Sequence, residues 1–341
     1  MATLDIFNDD AFSLSQLTQT IVDIPRVPTQ LGDEGMFNEY GISTTTMMIE
    51  RTGSGLKLVP TAPRGGVRAT VGREKRKLIP IAAVHLPQGD AILADEVQNV
   101  RAFGSETEVE SVQRLVQRQL TTLKGNIDLT LEHMRVGALR GQVLDSDGVS
   151  VIWDLYDIFG MQRQVMGFNI ATANSSVDLR QKTEDLKRAI QRKLGGKSFA
   201  RVRVKCSESW FDKFVGHDKM YKAWELYQQG QFNREFPGQN FVFNNVVFQV
   251  YSGYVVDAQG LEHEFIPAGK AYAYPEGLRD MFQIAYAPGD YMETVNTVGS
   301  PYYANQRMMD FNKGVELESQ SNPIVLNTLP EAVIELTTKA S

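Results

Sequence analysis

The chain has 341 residues, of which 42% are hydrophobic and 22% charged, and its net charge is −6. This is the composition of a globular protein with length for about two domains. Proteins that hold nucleic acid through their overall field are usually strongly basic, so the acidic balance argues against general nucleic-acid binding.

The cysteine, histidine and hydropathy patterns exclude several further classes. The single cysteine, Cys206, cannot form an intrachain disulfide or a CxxC metal site, and the four histidines form no HExxH or HxxxH pair. The acidic first ten residues do not resemble a secretory signal, and the apolar stretch at 78–87 is too short to span a bilayer. We therefore expect an intracellular protein with no cofactor, no metal and no membrane partner.

Charge is concentrated in the first quarter of the chain. Residues 1–50 hold eight acidic residues and one basic residue, whereas residues 51–90 hold eight basic residues and two acidic ones. Prolines and glycines between 25 and 66, with short alternating segments at 47–51 and 56–59, predict an extended arm followed by a basic β-hairpin. The alternative interpretation is an unstructured tail and a solvated loop.

Residues 105–140 predict one long helix. Ser105 and Glu108 have the spacing of a capping box, and apolar residues then recur at steps of three and four up to Ala138. At about 1.5 Å per residue, such a helix is on the order of 54 Å long. Gly125, near its middle, is where we expect any bend or interruption.

After this helix the pattern is α+β. Asp147-Gly148 between apolar stretches predicts a β-hairpin. A second helix is expected to begin at Ser175 or Ser176 and to stop at the glycine pair that starts at Gly195.

From residue 197 to about 290 the sequence predicts a second α/β domain. Residues 199–206 alternate as a half-buried strand, and a helical stretch rich in aromatic residues follows. Residues 241–256 predict either two strands that turn at Asn244-Asn245 or one bent strand. Further strands between 315 and 336 are expected to return to the sheet of the first domain.

No sequence pattern points to catalysis. The chain has no Walker loop, no GxGxxG after a strand and no GxSxG. Glu262-His263-Glu264, read as a strand, places the histidine opposite the two glutamates, which favours a solvated polar strand over a metal site. Arg201, Arg203 and Lys205 take the polar positions of the strand at 199–206. Cys206 falls on its apolar side, so we expect a buried, inert thiol. The aromatic residues around Trp210 have the helical spacing of a core rather than of base stacking.

Four passages carry a family resemblance. They are KCSESWFDKFVGHDKMYKAW (205–224), EFIPAGKAYAYPEG (264–277), IAYAPGDYMETVNTVGSPYYA (284–304) and ELESQSNPIVLNTLPEAVIEL (316–336). These passages resemble the lambda-type phage major capsid proteins, the capsid protein E family. The last passage, with Gln320-Ser321-Asn322-Pro323, is the most specific, whereas the first 50 residues carry no motif of the family.

The resemblance implies the Hong Kong 97-like phage capsid fold, of the α+β class. The parts of that fold are expected as an N-terminal arm (1–48), an extended β-hairpin loop (49–90), a peripheral domain (91–196) with the spine helix (105–140), an axial domain (197–290), and return strands to the peripheral domain (291–341). Their order agrees with the elements derived from the residues.

The resemblance also implies a function. The chain is expected to be a tailed-phage major capsid protein, not an enzyme, that self-assembles into the icosahedral head shell around double-stranded DNA. Implied partners are further copies in hexamers and pentamers, scaffolding, portal and decoration proteins, and DNA without sequence-specific contact. We expect it in the virion, and in the host cytoplasm during assembly. Some relatives crosslink a lysine of the extended loop, but nothing marks Lys57, Lys75 or Lys77, and we expect no crosslink.

The two charge blocks predict an assembly interface. Unneutralised charge would repel in a crowded shell, so we expect each block to meet opposite charge on a neighbouring subunit. The residues assigned to this interface are Asp9, Asp10, Asp33, Glu34, Arg64, Arg68, Arg73, Lys75, Arg76 and Lys77. Two other classes stay open: a ring-forming tail or connector protein of a phage, and, less favoured, an enzyme of unrecognised type built around 197–290.

Overall fold

A computed structural model describes residues 10–51, 77–98, 108–173, 176–195, 197–231, 240–256, 260, 262–278 and 280–339. The helices of this part of the chain are α1 (Leu14–Asp23), α2 (Gln30–Asp33), α3 (Ala94–Gln98), α4 (Glu108–Arg140), α5 (Leu155–Phe159), α6 (Leu179–Lys193), α7 (Glu208–Val215) and α8 (Asp218–Gln231). Its strands are β1 (Asn38–Gly41), β2 (Thr46–Arg51), β3 (Lys77–Ala82), β4 (Leu86–Leu93), β5 (Gln142–Leu144), β6 (Val151–Asp154), β7 (Gln164–Gly167), β8 (Arg201–Cys206), β9 (Asn240–Phe243), β10 (Val246–Val250), β11 (Tyr254–Val256), β12 (Glu262–Glu264), β13 (Lys270–Glu276), β14 (Phe282–Tyr286), β15 (Tyr303–Met308), β16 (Gly314–Ser321), β17 (Pro323–Asn327) and β18 (Ile334–Thr337). This mixture confirms the predicted α+β class.

These residues form two compact units, each drawn from three separate stretches of the chain. The first unit takes the described residues of Met1–Met47, Pro80–Glu132 and Gln283–Val325. The second takes those of Met48–Ile79, His133–Phe282 and Leu326–Ser341. None of the helices described is long and apolar enough to cross a membrane.

The first unit contains an antiparallel sheet in the order β15-β16-β4. Helix α1 lies along β15, where the Thr18 hydroxyl donates to the Ala304 carbonyl at 3.4 Å and accepts from the Ala304 N–H at 3.2 Å. An uncovered strand edge leaves such backbone groups unpaired. Helix α1 therefore protects part of this edge.

The second unit is built on a six-stranded mixed sheet in the order β7-β18-β13-β8-β10-β9. Aromatic side chains of α7 pack beside it: Trp210 stacks on Phe214 at 5.1 Å between ring centroids, and Phe214 lies 4.4 Å from Phe248. All three side chains are fully buried. The predicted core role of these aromatic residues is confirmed.

The long helix is confirmed as α4, whose 33 residues span about 50 Å at about 1.5 Å each. It continues through Gly125 without interruption. Ser105, the predicted cap, lies outside the described residues. The residues of α4 up to Glu132 belong to the first unit, and those from His133 belong to the second.

The hairpin predicted at Asp147-Gly148 is present as β5 and β6. The Asp147 carboxylate accepts hydrogen bonds from the backbone N–H groups of Val149 and Ser150, both at 2.8 Å, and Gly148 has a φ of +68°. A residue with a side chain is strained at that φ, which explains the glycine. The turn predicted from Asp147-Gly148 is therefore present in the structure.

The start of the second helix was predicted wrongly. Helix α6 begins at Leu179, and its cap is Asp178 rather than Ser175 or Ser176. The Asp178 carboxylate accepts from the N–H groups of Arg180 and Gln181 at 3.0 and 3.2 Å, so it satisfies donors of the first turn. Both residue types are good caps, and the choice between them depends on where the apolar face meets the core.

The predicted extended arm contains a helix, so the prediction of extended chain is wrong over 14–23. Helix α1 buries Leu17 and Ile21, which lie four residues apart on one face. In the predicted hairpin loop, β2 pairs with β3, whereas β4 pairs with β16. The strand predicted at 56–59 lies outside the described residues.

Strands β9 and β10 are antiparallel and turn at Asn244-Asn245, both with positive φ, so the predicted turn is confirmed. Residues 254–256 were expected in the second strand but form a third one, β11, which pairs with β12. Lys205 is fully buried with Nζ 2.6 Å from Gln249 Oε1, although alternation placed it on the polar side. That prediction is wrong because the sheet is covered on both faces at this position.

The return strands do not pair only with strands of the expected peripheral domain. Strand β18 lies between β7 and β13 in the six-stranded sheet, so strands from both sides of the expected boundary at 196/197 share one sheet. The five-part division by residue number stays a prediction.

Candidate assembly surfaces

Three charged side chains form a ladder on one face of α4. Lys124, Asp128 and Glu132 follow one another at four-residue intervals, and each is at least 97% buried. Burial of charge is costly unless each group is paired or hydrogen-bonded. All three bind the N-terminal segment of the first unit, and we call them the α4 ladder.

Lys124 closes the C-terminal end of α1. Its Nζ donates to the carbonyl oxygens of Ile21, Val22 and Ile24 at 2.9, 3.2 and 2.5 Å. These carbonyls lack partners within the helix, and a cation at this end also interacts favourably with the helix dipole. Burial lowers the pKa of Lys124, and the negative charge of Asp128 opposes that effect.

Asp128 joins two further segments to α4. One carboxylate oxygen accepts from the Val27 N–H at 3.0 Å, and the other accepts from the Tyr302 hydroxyl at 2.5 Å. The Lys124 ammonium also lies 4.4 Å from the centre of the Tyr302 ring. Both oxygens of this buried carboxylate are thus hydrogen-bonded.

Glu132 holds the first turn of α2. Its two carboxylate oxygens accept from the N–H groups of Leu31 and Gly32 at 2.7 and 3.2 Å. First-turn N–H groups have no partner within their own helix. Leu31 is itself buried, so the segment is held by both packing and hydrogen bonds.

An ion pair continues this attachment. Arg26 binds Glu39 at 2.9 Å, and the Tyr286 hydroxyl donates to the same carboxylate at 3.1 Å. Burial by itself would lower the pKa of Arg26, but the hydrogen bond and charge of Glu39 raise it overall. Over residues 14–39 the predicted arm is therefore bound to the body of its own unit.

The α4 ladder was not predicted from the sequence. A signal was available, since each ladder residue directly follows an apolar position of the predicted face: Leu123, Ile127 and Leu131. Charged residues beside an apolar stripe are usually solvent-exposed, so the pattern by itself does not distinguish a buried ladder from a surface one.

Only some of the predicted interface residues lie in the described part of the chain. Asp10 and Asp33 are exposed, and Glu34 is half-buried. Lys77 is the first residue of β3. Asp9 and the remaining bases, Arg64, Arg68, Arg73, Lys75 and Arg76, lie outside the described residues, so contact between the two blocks stays a prediction.

Large apolar side chains are exposed on the loop between β14 and β15. Met292 is 87% exposed, Val298 is 70% exposed, and Val295 is also exposed. The loop is nonetheless ordered by its own hydrogen bonds, because the Thr294 hydroxyl donates to the carbonyls of Gly289 and Tyr291 at 2.7 and 2.9 Å. Three exposed apolar side chains within seven residues of one ordered loop make this loop a candidate interaction surface.

A second apolar group stands at the tip of the β15–β16 hairpin. Phe311 is 92% exposed and has a φ of +60°, and Asn312 follows with +55°. An L-residue in this left-handed region is strained, and a phenylalanine there is uncommon. The turn therefore presents an aromatic ring to solvent in a conformation that a glycine would adopt more easily.

The residues considered for catalysis occupy unreactive positions. Cys206 is fully buried, and burial raises the pKa of its thiol well above its ordinary value. In β12, Glu262 and Glu264 are exposed and His263 is half-buried, as the strand pattern predicts. Within the described ranges, no group of three or more His, Cys, Asp or Glu residues could hold a metal ion.

Comparisons with known proteins agree with one another. A family model described as phage major capsid protein E matches residues 13–338. The major capsid protein of Salmonella phage Felix O1 is 23% identical over 358 residues, and that of Pseudomonas phage KPP10 is 27% identical over 341 residues. Each alignment covers 95% of this chain and 96% of the relative. A crystal structure assigned to the capsid protein of an Escherichia coli CFT073 prophage is 15% identical with a TM-score of 0.56, covering 96% of this chain and 99% of that one, which shows a common fold.

Proposed function

Because this chain belongs to the phage major capsid protein E family and is a major capsid protein of a tailed phage, we propose that its copies close into an icosahedral head shell of hexamers and pentamers. Its fold is the Hong Kong 97-like capsid fold, as the resemblance implied. The shell would enclose double-stranded DNA and act without catalysis.

The observation that carries this proposal is the apolar surface left on ordered loop tips. Met292 and Phe311 are 87% and 92% exposed although the strands beside them are well packed. In a monomer this surface would stay in water, at a cost of about 25 cal/mol per Å². In a shell every subunit has neighbours on all sides, and these side chains would be covered.

The partners follow from this role. We propose that scaffolding, portal and decoration proteins contact the shell, and that assembly takes place in the host cytoplasm before the chain is carried in the virion. The acidic block of 1–50 and the basic block of 51–90 would meet opposite charge on neighbouring copies. The α4 ladder would hold residues 14–39 on their own subunit.

Expression of the chain tests the proposal. Sedimentation at micromolar concentration and negative-stain electron microscopy should reveal capsomers or closed shells. A sharp monomer boundary at several salt concentrations, with no larger species, contradicts it. Rings of a single size instead of closed shells would support a connector or tail protein.

A further inference from the structure

Helix α6 lies in a basic stretch of an otherwise acidic chain. Residues 176–201 contain eight basic residues and three acidic ones, although the whole chain has a net charge of −6. One face of α6 is buried in the second unit through Leu179, Thr183, Leu186 and Ile190. The opposite face meets solvent.

The exposed positions of α6 share one chemistry. They are Arg180, Gln181, Arg188, Gln191, Arg192 and Lys193. Every one of them is basic or an amide, but the carboxylates of Glu184 and Asp185, with side chains 35% and 45% exposed, lie among them. We call Arg180, Gln181, Arg188, Gln191 and Arg192 the α6 basic face; Lys193, in the last turn, lies on the side of the buried residues.

Some bases around α6 have acidic partners and some do not. Lys187 pairs with Glu184 at 2.8 Å and Lys193 pairs with Glu331 at 3.2 Å. Arg188 lies 3.6 Å from Asp185, with its side chain 61% exposed. Within the described part of the chain, Arg180 and Arg192 form no ion pair.

The three arginines form a row. Arg188 and Arg192 follow Arg180 by eight and twelve residues, so the row spans about 18 Å and about 120° of the helix circumference. The position between Arg180 and Arg188 is Glu184, whose carboxylate is paired with Lys187. Duplex DNA carries one negative charge per roughly 1.7 Å of its axis, so phosphates are available along the whole row. A guanidinium group can bind a phosphate through two parallel hydrogen bonds.

We propose that the α6 basic face binds the phosphates of the duplex DNA inside the shell; this rests on the proposed function. The contact positions DNA without reading its sequence, because the arginines meet the backbone and the helix is held in its own core. A docked acidic protein fits less well, since the buried core of a protein interface is largely apolar and this face offers no apolar or aromatic side chain. Three contacts in each copy give weak, releasable binding that adds up over the shell.

Fluorescence anisotropy with a 30-base-pair duplex tests this proposal on the unassembled chain. In the triple variant Arg180→Gln, Arg188→Gln, Arg192→Gln, we expect at least a tenfold loss of affinity at 50 mM salt. Each phosphate contact contributes about 0.9 to the slope of log affinity against log salt, so the slope should fall by about 2.7. The charge-preserving variant with three lysines should stay within threefold of wild type.

A matched control removes three exposed cations elsewhere: Arg118→Gln, Lys213→Gln and Lys222→Gln. It should bind within twofold of wild type, and circular dichroism should show all variants folded. Equal losses in the two glutamine triples, or no binding by wild type, would overturn the proposal. Tighter binding of poly-glutamate than of DNA would overturn it in favour of an acidic protein.

Electron microscopy separates this result from the proposed function. If wild type and the arginine triple both form shells, loss of DNA binding by the triple supports the inference. If wild type forms no shells, the proposed function fails, and the anisotropy comparison still decides whether α6 binds DNA.

Discussion

The Asp128 carboxylate accepts a hydrogen bond from the Tyr302 hydroxyl at 2.5 Å, across 174 residues of sequence. Asp128 lies in the middle of α4, and Tyr302 lies immediately before β15. The other oxygen of the same carboxylate holds the Val27 backbone. One buried side chain therefore connects the N-terminal segment, the long helix and the C-terminal sheet of the first unit.

Removal of this contact should destabilise the unassembled chain. Tyr302→Phe is expected to lower the free energy of unfolding by about 1.5–3 kcal/mol, the usual contribution of a hydrogen bond to a charged group. Asp128→Ala should cost about 3–5 kcal/mol, because it also leaves Lys124 without the nearby negative charge. Urea denaturation measures both, and Gln117→Ala on the exposed side of α4 should change stability by less than about 0.5 kcal/mol. Additive losses in the double variant would contradict direct coupling.

We expect Phe311 to lower the stability of the folded subunit and to favour assembly. Phe311→Gly relieves the left-handed strain and is expected to raise the free energy of unfolding by about 1 kcal/mol. Phe311→Ala keeps the strain, so its stability should stay near that of wild type. Both variants remove the exposed ring and should reduce the yield of particles in electron micrographs. Normal particle yields from both would mean that the ring is not part of an interface.

The basic block should act through its total charge. Reversal of Arg64, Arg68, Arg73 and Arg76 to Glu is expected to block or misdirect assembly while circular dichroism stays that of a folded subunit. A single exposed ion pair contributes only about 0–1 kcal/mol, so the effect needs all four. The matched variant with four lysines should assemble normally. Salt near 1 M, where screening shortens to about 3 Å, should weaken wild-type capsomers first. Normal shells from the glutamate variant would leave the block a solvated loop.

His133 should make stability depend on pH. Burial lowers its pKa below the ordinary 6.5, and the positive charge of Arg140 lowers it further. The unfolded chain then binds a proton first, so stability should fall as the pH drops below about 6.5 towards the folded pKa. His133→Phe, which can still pack on Phe265, should flatten this dependence in urea denaturation between pH 5 and 8. Identical slopes for variant and wild type would show that other groups dominate.

The Cys206 thiol should be unreactive in the folded chain. Burial raises the pKa of its thiol, so a thiol reagent should label it only after denaturation. Cys206→Ser is expected to leave assembly intact while costing about 1–3 kcal/mol, because a buried hydroxyl replaces the thiol. Rapid labelling of the native chain would identify an exposed, activated thiol and reopen the enzyme hypothesis.

Features determined by local sequence were predictable. The apolar period of α4 predicted its length, Asp147-Gly148 predicted a turn, and alternation predicted the burial of Cys206. Each depends on interactions within a few residues, such as side-chain spacing or a turn that needs positive φ. The family resemblance added the capsid fold, because motifs spread along the chain preserve an order of elements.

The tertiary structure alone decided how distant segments meet. Helix α1 is short, and its Leu17 and Ile21 show an apolar face only once β15 lies beside it. Lys205 and the α4 ladder look solvent-exposed in sequence, but become buried when their partners arrive from far along the chain. A charge can be buried only where distant groups complete its hydrogen bonds. The residues adjacent in sequence do not indicate which distant groups these are. The same reason applies to β18, whose place between β7 and β13 is set by pairing across about 60 to 170 residues of chain.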